Sequence, residues 1–158
     1  MTLLSLLLPL GCEPSEIKIG DDTGDVVIEE GPHMEVSPTE LAFPVIFAGQ
    51  SSSLTVTVTN TGTIALAPTA TITSAQADAY SLAFDKTSLG SAEVATLTVT
   101  LSPMTWGNYM GTITVEDSAA SLSAQVAVTA LVQEDADGDG YGSIPSGGAD
   151  CDDADVTV

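Results

Sequence analysis

Arginine is absent from this chain of 158 residues, lysine occurs twice (Lys18 and Lys86) and histidine once (His33). Against 22 aspartates and glutamates they leave a net charge of -20. Nucleic acid is thereby excluded as a partner, because nothing can displace counterions from phosphates. Basic-patch docking on anionic headgroups is excluded for the same reason. One histidine removes most nucleophilic triads and zinc sites. Aromatic residues are only 4% of the chain, so a core has to come from Val, Leu, Ile, Ala and threonine methyls, a composition that favours strands. What is present is enough for one domain plus tails. With 44% apolar residues and a mean hydropathy of +0.30, the chain is too apolar to be an acidic chain without structure.

The acidic residues divide the sequence. Residues 1–11 have none, Glu13 to Glu35 has eight in 23 residues, Val36 to Gln133 has six in 98, and Glu134 to Val158 has eight in 25. The acid-poor stretch predicts the folded unit, flanked by acidic and largely irregular segments. The expected organisation is a leader over 1–12, an acidic tether over 13–33, a β-domain over 34–133 and an Asp-rich segment over 134–158.

The leader has an apolar run of about eight residues, far short of the roughly 20 that span a bilayer. It stops at Gly11-Cys12, where the chain turns acidic. This resembles a bacterial lipoprotein signal, which implies export, lipidation of Cys12 and anchoring in the cell envelope, at the outer membrane or cell surface. Residues 13–33, acidic and glycine-containing, read as a solvated tether, and His33 as an exposed histidine within it.

Period-2 alternation marks the strands. Leu54, Val56 and Val58 alternate with threonines, as do Leu97, Val99 and Leu101. Tyr109 to Val115 and Leu122 to Val132 follow the same rule. Met34–Val36, Leu41–Phe43, Leu66–Thr73 and Tyr80–Phe84 are weaker segments. Asn60-Thr61-Gly62 reads as a turn in which Asn and Gly reach positive φ. Trp106, in the turn Pro103 to Gly107, reads as a cap on the end of the core. No helical period is sustained, so the expected fold is all-β, an antiparallel sandwich of seven or eight strands.

Several of these residues carry a resemblance. Val36-Ser37-Pro38-Thr39-Glu40-Leu41-Ala42-Phe43, Gly49, Leu54 to Gly62, Tyr80 to Phe84, Leu101-Ser102-Pro103 and Gly107 are similar to the bacterial Ig-like domains called choice-of-anchor D, related to ASH and MSP-type sandwiches. The resemblance covers roughly residues 34–132. It implies an Ig-like β-sandwich used as a spacer or binding module and says little of chemistry.

The Asp-rich segment carries the chemistry. Asp135-Ala136-Asp137-Gly138-Asp139-Gly140-Tyr141-Gly142 sets carboxylates at alternate positions and then a glycine. That is the first half of an EF-hand-type loop, with ligands at Asp135, Asp137 and Asp139, the turn at Gly140 and a carbonyl donor at Tyr141. Ser146 stands where a bidentate Glu belongs. Asp150, Asp152, Asp153 and Asp155 are the carboxylates available to complete the shell. Hard oxygens without His or Met favour calcium over copper, and the carboxylate count favours it over magnesium. The segment resembles thrombospondin type 3 repeats and, with Asp150-Cys151-Asp152-Asp153, the MopE-type metal-binding motif of secreted bacterial proteins. That motif continues past the equivalent of Val158, which implies an incomplete site and leaves the partner of Cys151 open.

A Gly-rich acidic tail offers no rigid cleft for paired-carboxylate catalysis, and His33 lies in the tether, so no enzyme is expected. The sequence reads as an envelope lipoprotein presenting a structural or adhesive Ig-like module with a calcium-binding tail. Its partners would be the membrane, through Cys12, and a protein or surface glycan. The alternatives are a metal-capture protein for calcium or copper, and a spacer fragment of a larger surface protein.

Overall fold

In a computed structural model the residues described are 28–138 and 140–149. The alternating segments form β4 (Ser52–Asn60), β7 (Val94–Leu101), β8 (Gly107–Asp117) and β9 (Leu122–Gln133), which are the long strands of the molecule. Their inward residues, Val56 and Val58, Leu97 and Val99, Ile113 and Val115, Val126 and Val128, are buried, and Thr57, Thr98, Thr114 and Ala127 between them face out. The shorter strands are β1 (Met34–Ser37), β2 (Glu40–Ala42), β3 (Ile46–Phe47), β5 (Thr69–Ser74) and β6 (Tyr80–Phe84). Among the described residues there is no α-helix, only two single-turn 3-10 segments.

Two sheets face one another. One has the order β1-β4-β7-β6, and the other β2-β9-β8-β5 with β3 also on β9. The Ig-like sandwich expected from the pattern is therefore the observed fold. Nine hydrogen-bonded segments appear because β1, β2 and β3 are pieces of one edge that changes sheets. β1 runs antiparallel to β4, the chain crosses at the cis Ser37-Pro38 peptide, and β2 and β3 then run parallel to β9. Pro44 has no N–H to give to a ladder and separates β2 from β3. Proline also explains why Leu66 to Thr73 is not one strand. Leu66 forms a lone bridge with Leu89, Pro68 interrupts, and the strand begins at Thr69.

At one end of the sandwich the side chain of Asn60 is fully buried. Its Nδ2 donates to the carbonyls of Ile64 (2.8 Å) and Leu89 (3.0 Å), and its Oδ1 accepts from the N–H of Gly62 (2.9 Å). Neither Asn60 nor Gly62 adopts positive φ, contrary to the turn read from the sequence. Asn60 is there for its amide. Gly62 is there because a Cβ would collide with the backbone of Gly31 and His33. Glu29 to His33, the last residues of the segment read as a tether, run beside this turn. The N–H of Glu29 donates to the carbonyl of Thr61 and that of Thr61 to the carbonyl of His33. His33 Nδ1 lies 2.8 Å from Glu29 Oε2.

Asp117 closes the same end. Its Oδ2 accepts from the N–H of Ala67 (2.7 Å) and its Oδ1 from that of Ala120 (3.0 Å). These backbone donors, Ala67 first, hold the carboxyl below its ordinary value of 3.8. A depressed folded value means that the stabilisation is fully present above about pH 4 and is lost as pH falls through the folded pKa. Asp117→Ala is expected to lower stability by roughly 1 kcal/mol at neutral pH, because it removes two part-buried hydrogen bonds from backbone N–H groups. In urea denaturation the gap from wild type should narrow as pH falls below about 4; a gap that stays constant as the medium is acidified would contradict this role.

The opposite end is closed by tyrosine. The buried Tyr109 donates from its hydroxyl to the carbonyl of Thr105 (2.8 Å), four residues upstream, in the manner of the tyrosine corner of Ig sandwiches. Trp106 does not cap the core as the sequence suggested. It is 48% exposed and is not among the residues packed on the core. The hydroxyl of Tyr80 is buried with no hydrogen-bond partner among the described residues, and burial, then the neighbouring Tyr109, pushes its pKa up. Tyr109→Phe is expected to cost about 1 kcal/mol, whereas Tyr80→Phe should be neutral or stabilising because it removes an unsatisfied group. Thermal unfolding of the two variants checks the contrast, and equal losses would refute it.

Candidate metal-binding tail

The tail leaves β9 at Gln133 and folds back on that strand's end. The Glu134 carbonyl accepts from the N–H of Ser143 (2.7 Å), and the N–H of Glu134 donates to Ser146 Oγ (2.9 Å). Ser146 Oγ also accepts from Ser143 Oγ (3.0 Å) and donates to the Ser143 carbonyl (2.9 Å). Both serines are buried. Pro145 opens the single turn Ile144–Ser146, and Gly147 ends it in the left-handed region. The backbone of Gly142 occupies the place a Cβ on Gly148 would need, and a Cβ on Gly142 would meet the side chain of Gln133. Residues 135–142 are thus a loop whose two ends are pinned together.

Within the loop Asp135 plays the gathering role. Its Oδ1 accepts from the N–H of Gly138 (2.8 Å) and its Oδ2 from that of Gly140 (3.3 Å). Gly138 and Gly140 sit at φ 80° and 93°, where glycine carries no Cβ penalty. The alternate spacing of Asp and Gly is what lets the chain wrap one carboxylate. Oδ2 of Asp137 is sealed from solvent, and Tyr141 presents its ring to solvent.

Asp135, Asp137 and Tyr141 are therefore in one turn of chain. Asp139, Asp150, Asp152, Asp153 and Asp155 lie outside the described residues, as do Cys12 and Cys151. Among the described residues no three His, Cys, Asp or Glu side chains are grouped closely enough to hold a metal. The donor chemistry fits a hard cation, since residues 134–149 contribute carboxylate, carbonyl and hydroxyl oxygens and neither His nor Met. The described acids alone are too few for the six to eight oxygens calcium takes. Sequence reasoning missed the serine clasp, because Ser146 was read only as a failed ligand.

The sheet-switching first edge, the tyrosine corner and the two-sheet order define an Ig-like sandwich. The profile of the HYDIN/CFA65/VesB-like Ig-like domain family matches residues 32–130, and the chain belongs to that family. In fold it is similar to the ASH/PapD-like domain 7 of human CEP192, at 14% identity and a TM-score of 0.50 over 85% of this chain and 98% of that one. It is also similar to part of a family 123 glycoside hydrolase from Clostridium perfringens, at 9% identity and a TM-score of 0.52 over 66% of this chain and 27% of the enzyme. At these identities the likeness is one of fold. No curated protein matches the sequence. The fold is one that is typically non-catalytic.

Proposed function

We propose that this protein is a non-enzymatic display module of a bacterial cell envelope, lipid-anchored through Cys12, with a calcium-binding loop carried at the far end of its Ig-like sandwich. One observation carries the reading: the two acidic segments leave the sandwich at opposite ends. Glu29 to His33 meet the fold beside Asn60, and the Asp135 loop leaves it beyond Gln133. The 12 residues of β9, at about 3.3 Å each, separate the two by roughly 40 Å. An anchor on the first segment would hold the loop away from the membrane, as an adhesive or structural element requires.

Calcium would be held by the side chains of Asp135, Asp137 and Asp139 and the Tyr141 carbonyl, completed by acids from Asp150, Asp152, Asp153 and Asp155. Bound there, it would neutralise a dense set of like charges and fix the loop. The clasp through Ser143 and Ser146 supports this reading, because a pinned loop presents its carboxylates with less entropy to lose. Calorimetric titration of the purified chain is expected to show saturable calcium binding with Kd between about 10 µM and 1 mM, the range of sensor-like and extracellular sites. Binding should be lost in Asp137→Ala/Asp139→Ala, and magnesium and copper should bind more weakly. Absence of calcium heat, or copper binding more tightly, would overturn the calcium assignment; the latter would favour metal capture.

A further inference from the structure

The second sheet carries an uncovered apolar face at the tail end of the sandwich. Alternation along β8 turns Tyr109 inward and Met110 outward, where it is 63% exposed. Leu131 lies between buried Ala130 and Val132, so it also faces out. The pairs Asn108–Leu131 and Met110–Thr129 set Leu131 diagonal to Met110, within side-chain reach. On the other flank Phe47 pairs with Gln133, next to Leu131, and Val45, just before β3, is 54% exposed. Trp106 stands just before β8, whose first residue pairs with Val132. These exposures hold with residues 140–149 in place: Gly142 rests on Gln133 at one margin of the face and leaves Val45 and Met110 exposed.

Isolated surface apolar residues need no explanation, but Val45, Phe47, Leu131 and Met110 on adjoining strands of one face, interspersed with Asn108, Thr129 and Gln133 and with Trp106 next to it in the chain, make a patch of the kind that marks a contact surface. Its border is of one sign. Glu40 lies on the outer side of β2, and Glu134 and Asp135 follow β9. The one lysine among the described residues, Lys86, is on the β6–β7 link, 3.9 Å from Glu93. A second copy of this chain would bring a further charge of -20 and the same acidic border into contact. We propose that this face binds a cationic amphipathic polypeptide segment, its apolar side chains on Met110, Leu131 and Val45 and its basic ones against the acidic border. Apolar burial supplies the affinity, and the charge pattern chooses the partner.

Trp106 is the sole tryptophan, so its fluorescence reads the face directly. The full chain is titrated with a tryptophan-free peptide of alternating lysine and leucine, at low and high salt. The expected result is a saturable blue shift, weakened by salt and weaker by about tenfold or more in Val45→Ser/Met110→Ser. Both substitutions are at exposed positions outside the core, so the fold should persist, which circular dichroism checks. An unsaturable shift, an equal shift with a glutamate–leucine peptide, or unchanged affinity in the double variant would overturn the proposal. So would a dimer, seen by sedimentation, that shifts Trp106 without peptide.

Discussion

The buried amide of Asn60 is the polar contact on which this end of the fold depends. An aliphatic sandwich closes its faces by packing alone, but at its ends backbone groups run out of ladder partners and must be met by something else. Asn60 meets three of them at once. Its amide joins the end of β4 to the Ile64 turn and to Leu89 before β7, and its own N–H and carbonyl pair with Glu93 and Ala92. Asp117 does the same for the chain before β5 and for the β8–β9 turn. With those contacts made, the segment Glu29 to His33 can run beside the turn, against a glycine that leaves room for it.

The other end is solved differently. Tyr109 fastens the β7–β8 turn from inside, which leaves Met104 and Trp106 in solvent. The end of β9 is fastened by Ser143 and Ser146, from the tail itself. The four buried polar residues of the described chain are thus two at the entering end and two at the leaving end. The acidic loop is tied back to the end of β9 by the hydrogen bonds of Glu134 to Ser143 and Ser146, so an event in the loop can be felt at β9. The apolar face of the second sheet lies at that end too, bordered by the same acids.

Much of the fold was legible because the period of two is a local signal. Leu54, Val56 and Val58 announce a half-buried strand without reference to anything else. The edge strands β5 and β6 were weaker because each is buried less completely and proline breaks the approach to β5. What could not be read was long-range. Nothing in Asn60-Thr61-Gly62 says that the asparagine is buried against residues 29 positions away, or that Gly62 faces Gly31. The Tyr109 corner has a local signal, a tyrosine near the start of a strand that follows the turn from Pro103 to Gly107, but its acceptor, the Thr105 carbonyl, is set by the shape of the turn. In the tail the Asp–Gly alternation was legible as chemistry. The serine clasp was not, since serine three residues from serine says nothing until the fold brings both to the backbone of Glu134.

The claim that loop and sandwich act as one piece is tested most directly by amide hydrogen exchange with and without calcium. Calcium should slow exchange across residues 135–142 and carry that protection through the amides of Ser143 and Glu134, the two that close the clasp, into the last residues of β9. Exchange at Glu134 and Ser143 that is the same in saturating calcium as in its absence would contradict the account.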